Sequence, residues 1–102
     1  ISADAITQIN GQYCIADFKH CSSTNVNTLS KELIDGFSQA GNIVLKVTKM
    51  DSGKLRSAIE YVKRNGNGYK GMKIINKYGK ILDLSQKDIK TERYINKIRG
   101  FL

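Results

Sequence analysis

The sequence predicts an α+β domain with a mixed, mostly antiparallel sheet of about five strands and two to three helices. Three observations carry this. Asn10-Gly11 sits between two strand-compatible runs, and that dipeptide tolerates the positive φ of a type I′ hairpin turn. Two stretches with helical spacing of apolar residues, 28–40 and 52–65, flank the apolar run Ile43 to Val47. A second hairpin is expected around Lys77-Tyr78-Gly79.

The first hairpin sets a register. With Asn10 and Gly11 as the loop, Ile9 faces Gln12, Ile6 faces Ile15, and Asp4 falls opposite Asp17. One face then carries Asp4, Ile6, Tyr13, Ile15, Asp17 and Lys19; the other carries Ala5, Cys14, Ala16, Phe18 and His20. Like charges directly opposite on a sheet repel, so the facing aspartates need Lys19, a cation, a shared proton or another register.

After the polar loop Cys21 to Asn27, Asn27 is the expected N-cap of a helix from about 28 to 40, with stripe Leu29, Leu33, Ile34, Phe37, Ala40 and with Gly41 as C′. Ile43, Val44, Leu45 and Val47 are apolar on both faces, as in a central strand. The second helix begins at Ser52, buries Leu55, Ala58, Ile59 and Val62, and ends at Asn65-Gly66-Asn67-Gly68. Strands are expected over Met72 to Asn76 and Lys80 to Leu84, and one last helix over Ser85 to Leu102. Strand-helix-strand connections of this kind are right-handed by strong rule.

Composition narrows the function classes. A chain of 102 residues is the size of one domain, 1–102, and a net charge of +8 favours an acidic partner such as nucleic acid, an anionic membrane surface or an acidic protein. Cys14 and Cys21 cannot make a disulfide framework and read as reduced thiols of a cytosolic setting. One histidine and no C-x-x-C give no support for structural zinc. No apolar run approaches the ~20 residues of a membrane helix. The start at Ile1-Ser2-Ala3 suggests a domain excised from the C-terminus of a longer protein.

Chemistry concentrates at the end of the first hairpin. His20 can serve as general acid or base on a ribose 2′-hydroxyl, Lys19 can stabilise the charge on a phosphate, and Asp17 can support them, without metal. Such cleavage leaves a 2′,3′-cyclic phosphate. Ser23 and Thr24, with Ser22, precede a helix N-terminus and are the candidates for holding a phosphate. The alternative is that Asp4 and Asp17 bind magnesium while Lys19 assists, the D…(D/E)-x-K pattern of restriction-type nucleases. Lys19 and His20 share a site only if the strand ends or bulges between them. Each residue alone has a bland reading: an isolated Asp-x-Lys arises by chance and a lone strand-end histidine is commonly a surface residue. A non-catalytic RNA- or ribosome-binding module is the rival from another class, and a DNA-binding regulator lacks a helix-turn-helix.

The run from Ala3 to Val47 resembles the C-terminal toxin domains of bacterial contact-dependent inhibition proteins and related polymorphic toxins, through Asp4, Asn10-Gly11, Asp17-Phe18-Lys19, Gln39-Ala40 and Ile43 to Val47. Ala16 stands where that pattern has an aromatic, and Asp17 where it has Glu. The resemblance implies a nuclease toxin, commonly a transfer-RNA ribonuclease. It also implies delivery from a producing bacterium's surface, or secretion, into a target cell's cytoplasm. It further implies a tight immunity protein, expected to be acidic, and sometimes a host protein as cofactor. The fold it implies is similar to the barnase, EndoU, colicin and RelE group, which works without metal, or to restriction-type nucleases, which use magnesium.

Overall fold

The computed structural model describes residues 4–66 and 68–102, Asp4 by its backbone alone. Nine elements follow one another: β1 Asp4–Ile9, β2 Gln12–Cys21, α1 Val26–Ala40, β3 Asn42–Val47, α2 Ser52–Asn65, β4 Gly71–Ile75, β5 Ile81–Leu84, α3 Gln86–Lys90 and α4 Tyr94–Ile98. The strands form one sheet in sequence order, β1-β2-β3-β4-β5.

The α+β class and the five-stranded mixed sheet are as expected, but pairing is evenly divided. β1/β2 and β4/β5 are antiparallel, while β2/β3 and β3/β4 are parallel because a helix intervenes each time. Four helices occur among the described residues. Since both crossovers step the same way across the sheet, α1 and α2 share one face and pack on each other.

The first hairpin has the register derived from its turn: Ile9↔Gln12, Ile6↔Ile15 and Asp4↔Asp17 are cross-strand partners. Asn10 (φ 54) and Gly11 (φ 78) both adopt the positive φ that this turn requires. The Asn10 amide donates to Asp83 Oδ2 at 2.8 Å, so the hairpin tip reaches across to β5 and the sheet is strongly curled.

Helix α1 starts two residues earlier than the spacing predicts. Its N-cap is Asn25, not Asn27: the Asn25 side chain accepts from the amides of Asn27 and Thr28. Gly41 closes it in the left-handed conformation (φ 77), as expected. Asp51 caps α2 by accepting from the Lys54 amide. The single C-terminal helix expected over 85–102 is instead two short ones, α3 and α4, because Glu92 takes a left-handed φ of 64 between them. Ser85 and Asp88 form a reciprocal capping box at the start of α3.

The main core lies between the helices and one sheet face, with Leu33 and Phe37 of α1, Leu55 and Ile59 of α2, and Leu45 and Ile74 of the sheet buried together. The opposite face holds a smaller cluster made of strand residues, Ile9, Ala16 and Val44, flanked by Cys14 and Ile75. Val44 and Ile43 are both buried, confirming β3 as a central strand apolar on each side.

Candidate active site

Alternation along β2 sends Asp17 and Lys19 toward α1 and sends Phe18 and His20 to the other face. Asp17 is completely buried. Helix α1 crosses it closely at Gly36, where an added Cβ would stand 3.0 Å from Asp17 Oδ2 and 2.7 Å from Ile43 Cδ1. A glycine inside a helix costs stability, and here its missing side chain is what lets helix and strand approach.

The Lys19 ammonium lies 3.2 Å from Asp17 Oδ2 and donates to Asp35 Oδ2 at 2.7 Å. Asp35, on the turn of α1 beside Gly36, also accepts from Gln39 Nε2 at 3.0 Å. Lys19 therefore bridges a carboxylate from the sheet and one from the helix. The hydrogen bond to Asp35 raises the Lys19 pKa above the usual lysine value, against the desolvation that lowers it. Lys19, followed by Gln39, holds the Asp35 carboxyl below the usual carboxylate range. Among the described residues neither Asp17 oxygen receives a hydrogen bond of good geometry; its attachment there is the ion pair of Oδ2 with Lys19. A buried carboxylate in that condition is costly unless a further positive or donor group completes it.

Strand β2 continues without interruption through Cys21, so Lys19 and His20 remain on opposite faces. His20 is exposed, and its neighbour in the parallel register is Lys46 of β3, also exposed. The structure thus unites Asp17 and Lys19 and sets His20 apart from them. Asp4 pairs with Asp17 along the backbone; its side chain lies outside the described residues. Ser23 Oγ accepts from the Asn25 amide at 2.9 Å, and the Thr24 carbonyl accepts from Lys54 Nζ at 3.1 Å. Two amides of the first turn of α1 that could meet a phosphate are taken by Asn25 Oδ1. Among the described residues no three His, Cys, Asp or Glu side chains cluster to hold a metal.

Asp35 is the residue that sequence reasoning passed over. Its signal was the glycine beside it, since a mid-helix Gly marks a close approach of another element. Burial pushes the Cys21 thiol up, which makes it an inert part of the core.

Residues 4–81 match the model of the contact-dependent growth inhibition CdiA C-terminal domain. The chain belongs to that family. The matched stretch runs from Asp4 to the first residue of β5, so it contains Asp17, Lys19 and Asp35 and stops before α3 and α4. The resemblance through the first hairpin and α1 and the family match converge on the same segment. A solved structure that this CdiA C-terminal domain is similar to is the CdiA-CT/CdiI toxin and immunity complex from Burkholderia pseudomallei, at 19% identity and a TM-score of 0.48 over 80% of this chain and 72% of that one. No curated protein matches the chain.

Proposed function

We propose that this CdiA C-terminal domain is a nuclease toxin that cuts RNA, with transfer RNA as its substrate, and that Asp17 and Lys19 form the centre of its active site. The observation that carries the reading is the Asp17–Lys19 pair, a buried carboxylate with unsatisfied oxygens 3.2 Å from a lysine on the same strand face. Magnesium is commonly held by one or two carboxylates together with substrate phosphate, and the orphaned Asp17 oxygens suit that role. The ion, when bound, supplies Lewis-acid polarisation of the phosphate and a nucleophilic water at neutral pH. Asp17 would anchor the charge, α1 and Gly36 would keep bulk water from the buried side of the carboxylate, and Lys19 would place its ammonium against the phosphate as charge develops. A net charge of +8 supports binding to a polyanion and suits an acidic immunity protein as the partner that blocks the site. Delivery from a producing cell into a target cytoplasm fits the family.

A second reading uses the other sheet face. His20 lies beside Lys46 in the β2/β3 register, and this pair could act on a ribose 2′-hydroxyl without metal. Incubating purified transfer RNA with the chain separates the two. Cleavage lost in EDTA and kept in His20→Ala is the expected result. Cleavage that survives EDTA and disappears in His20→Ala replaces the first reading with the second. Growth arrest with an intact RNA pool sinks both.

A further inference from the structure

We propose that Asp35 is a cation ligand, and that Asp17 and Asp35 form a two-carboxylate cradle for one divalent cation whose place is held by the Lys19 ammonium. The proposal deepens the nuclease reading by naming a ligand from a different element, and its cation-binding test does not depend on RNA cleavage.

Both carboxylates present Oδ2 to the same nitrogen, at 3.2 Å from Asp17 and 2.7 Å from Asp35, so the two oxygens are no more than about 6 Å apart. One cation with ligand distances near 2.1 Å needs its two oxygens within about 4.2 Å of each other, so the exposed partner turns inward as Lys19 leaves. Asp35 is the partner with room to turn, its side chain being half exposed, whereas Asp17 is fixed by complete burial. Three further features fit. Among the described residues the buried Asp17 Oδ1 has no donor and Oδ2 has only the Lys19 ammonium at 3.2 Å, which leaves the carboxylate with capacity for a cation. Gln39 holds Asp35 from the following turn of α1, as an outer partner that orients a ligating carboxylate. Gly36 sets α1 low enough on β2 for a helix carboxylate to reach a strand carboxylate at all.

In this arrangement Lys19 has two positions. Without the cation it neutralises the carboxylate pair. When the cation enters, the ammonium is displaced toward solvent, where its 20% exposure already leaves room, and it faces the phosphate that the cation attracts. One residue thereby keeps a buried carboxylate tolerable in the empty protein and becomes available to substrate when the site is loaded.

Titration of the full chain with manganese chloride by calorimetry tests this. One cation per chain is expected in the wild type, bound at least tenfold more weakly by Asp35→Asn and by Asp17→Asn. Glu92→Gln, an exposed carboxylate away from the site, is expected to bind within twofold of wild type. Lys19→Met is expected to bind severalfold more tightly, since the competing ammonium is gone. Should that variant fail to fold, the exposed Asp35→Asn still decides. Wild-type affinity in Asp35→Asn overturns the proposal, as does the absence of manganese binding by the wild-type chain. Binding that depends on Asp35 in a chain that cuts no RNA leaves the cradle standing and removes the nuclease reading.

Discussion

Two buried aspartates of this protein, Asp17 and Asp88, sit beside lysines and differ in how completely they are satisfied. Asp88 Oδ2 accepts from the Ser85 amide and from Lys97 Nζ, each at 2.9 Å, and Oδ1 lies 3.3 Å from Arg93 Nη2. Burial pushes its pKa up, and the bonds with Lys97 and Ser85 outweigh that, leaving the carboxyl below the usual range. Asp17 is more deeply buried and has, among the described residues, the Lys19 ion pair and no hydrogen bond of good geometry. A satisfied carboxylate holds a loop and a helix start in place; an unsatisfied one buried beneath a helix is kept at a cost to stability that function must explain.

The largest expected effect separates the two by kind. Asp17→Asn should lower the single-turnover rate of transfer-RNA cleavage by about a hundredfold or more while the melting temperature stays close to wild type. Asp88→Asn should do the opposite, with unchanged cleavage per folded molecule. Removing one member of its hydrogen-bonded network costs about 1–3 kcal/mol, readable as a shift in the denaturant midpoint. If Asp17→Asn proved chiefly a stability variant, the contrast would collapse and Asp17 would be a structural buried charge like Asp88.

Gly36→Ala comes next and links fold to site. The new methyl would meet Ile43 Cδ1 at 2.7 Å and Asp17 Oδ2 at 3.0 Å, so α1 must lift from β2. Overpacking of this kind costs about 1–3 kcal/mol. Because lifting α1 carries Asp35 away from Lys19, cleavage should fall by more than the loss of folded protein accounts for. A variant that is destabilised yet fully active per folded molecule would show that the helix-to-strand approach matters for packing alone.

What was legible in the sequence follows the range of the interactions. The Asp4↔Asp17 register came from a turn two residues long, whose chemistry is local. So did the helix stop at Gly41 and the start of α2 after Asp51. The break at Glu92 was not legible because no glycine or proline marks it; a glutamate takes a left-handed conformation there while Tyr94 and Ile98 pack into the core. Asn25 competes with Asn27 for the same cap, and propensity does not separate two asparagines. In the candidate site, the shared face of Asp17 and Lys19 follows from strand alternation. The arrival of Asp35 depends on how α1 lies across β2, which is tertiary packing that no residue spacing contains.

The contrast between the two aspartates also has an acid limb. Asp88 keeps a lower pKa folded than unfolded, so the stability it confers is complete above its unfolded value near pH 4 and is lost as pH falls through its folded value. The melting-temperature gap between wild type and Asp88→Asn should therefore be widest at neutral pH and close toward pH 2. A gap that is flat from pH 7 to pH 2 would mean that the network stabilises through packing and not through the charged carboxylate.

The smallest expected effect belongs to His20, which lies on the sheet face away from Asp17 and Lys19. His20 is exposed and stands next to Lys46, so His20→Ala removes no buried contact and should leave the melting temperature unchanged. If cleavage depends on the Asp17–Lys19 centre, the rate should change less than about threefold, an amount explained by one weakened contact to RNA. A hundredfold loss in His20→Ala, with Asp17→Asn active, would move the active site to the open face. Asp17 would then be a buried ion pair of the same kind as Asp88, only less completely bonded.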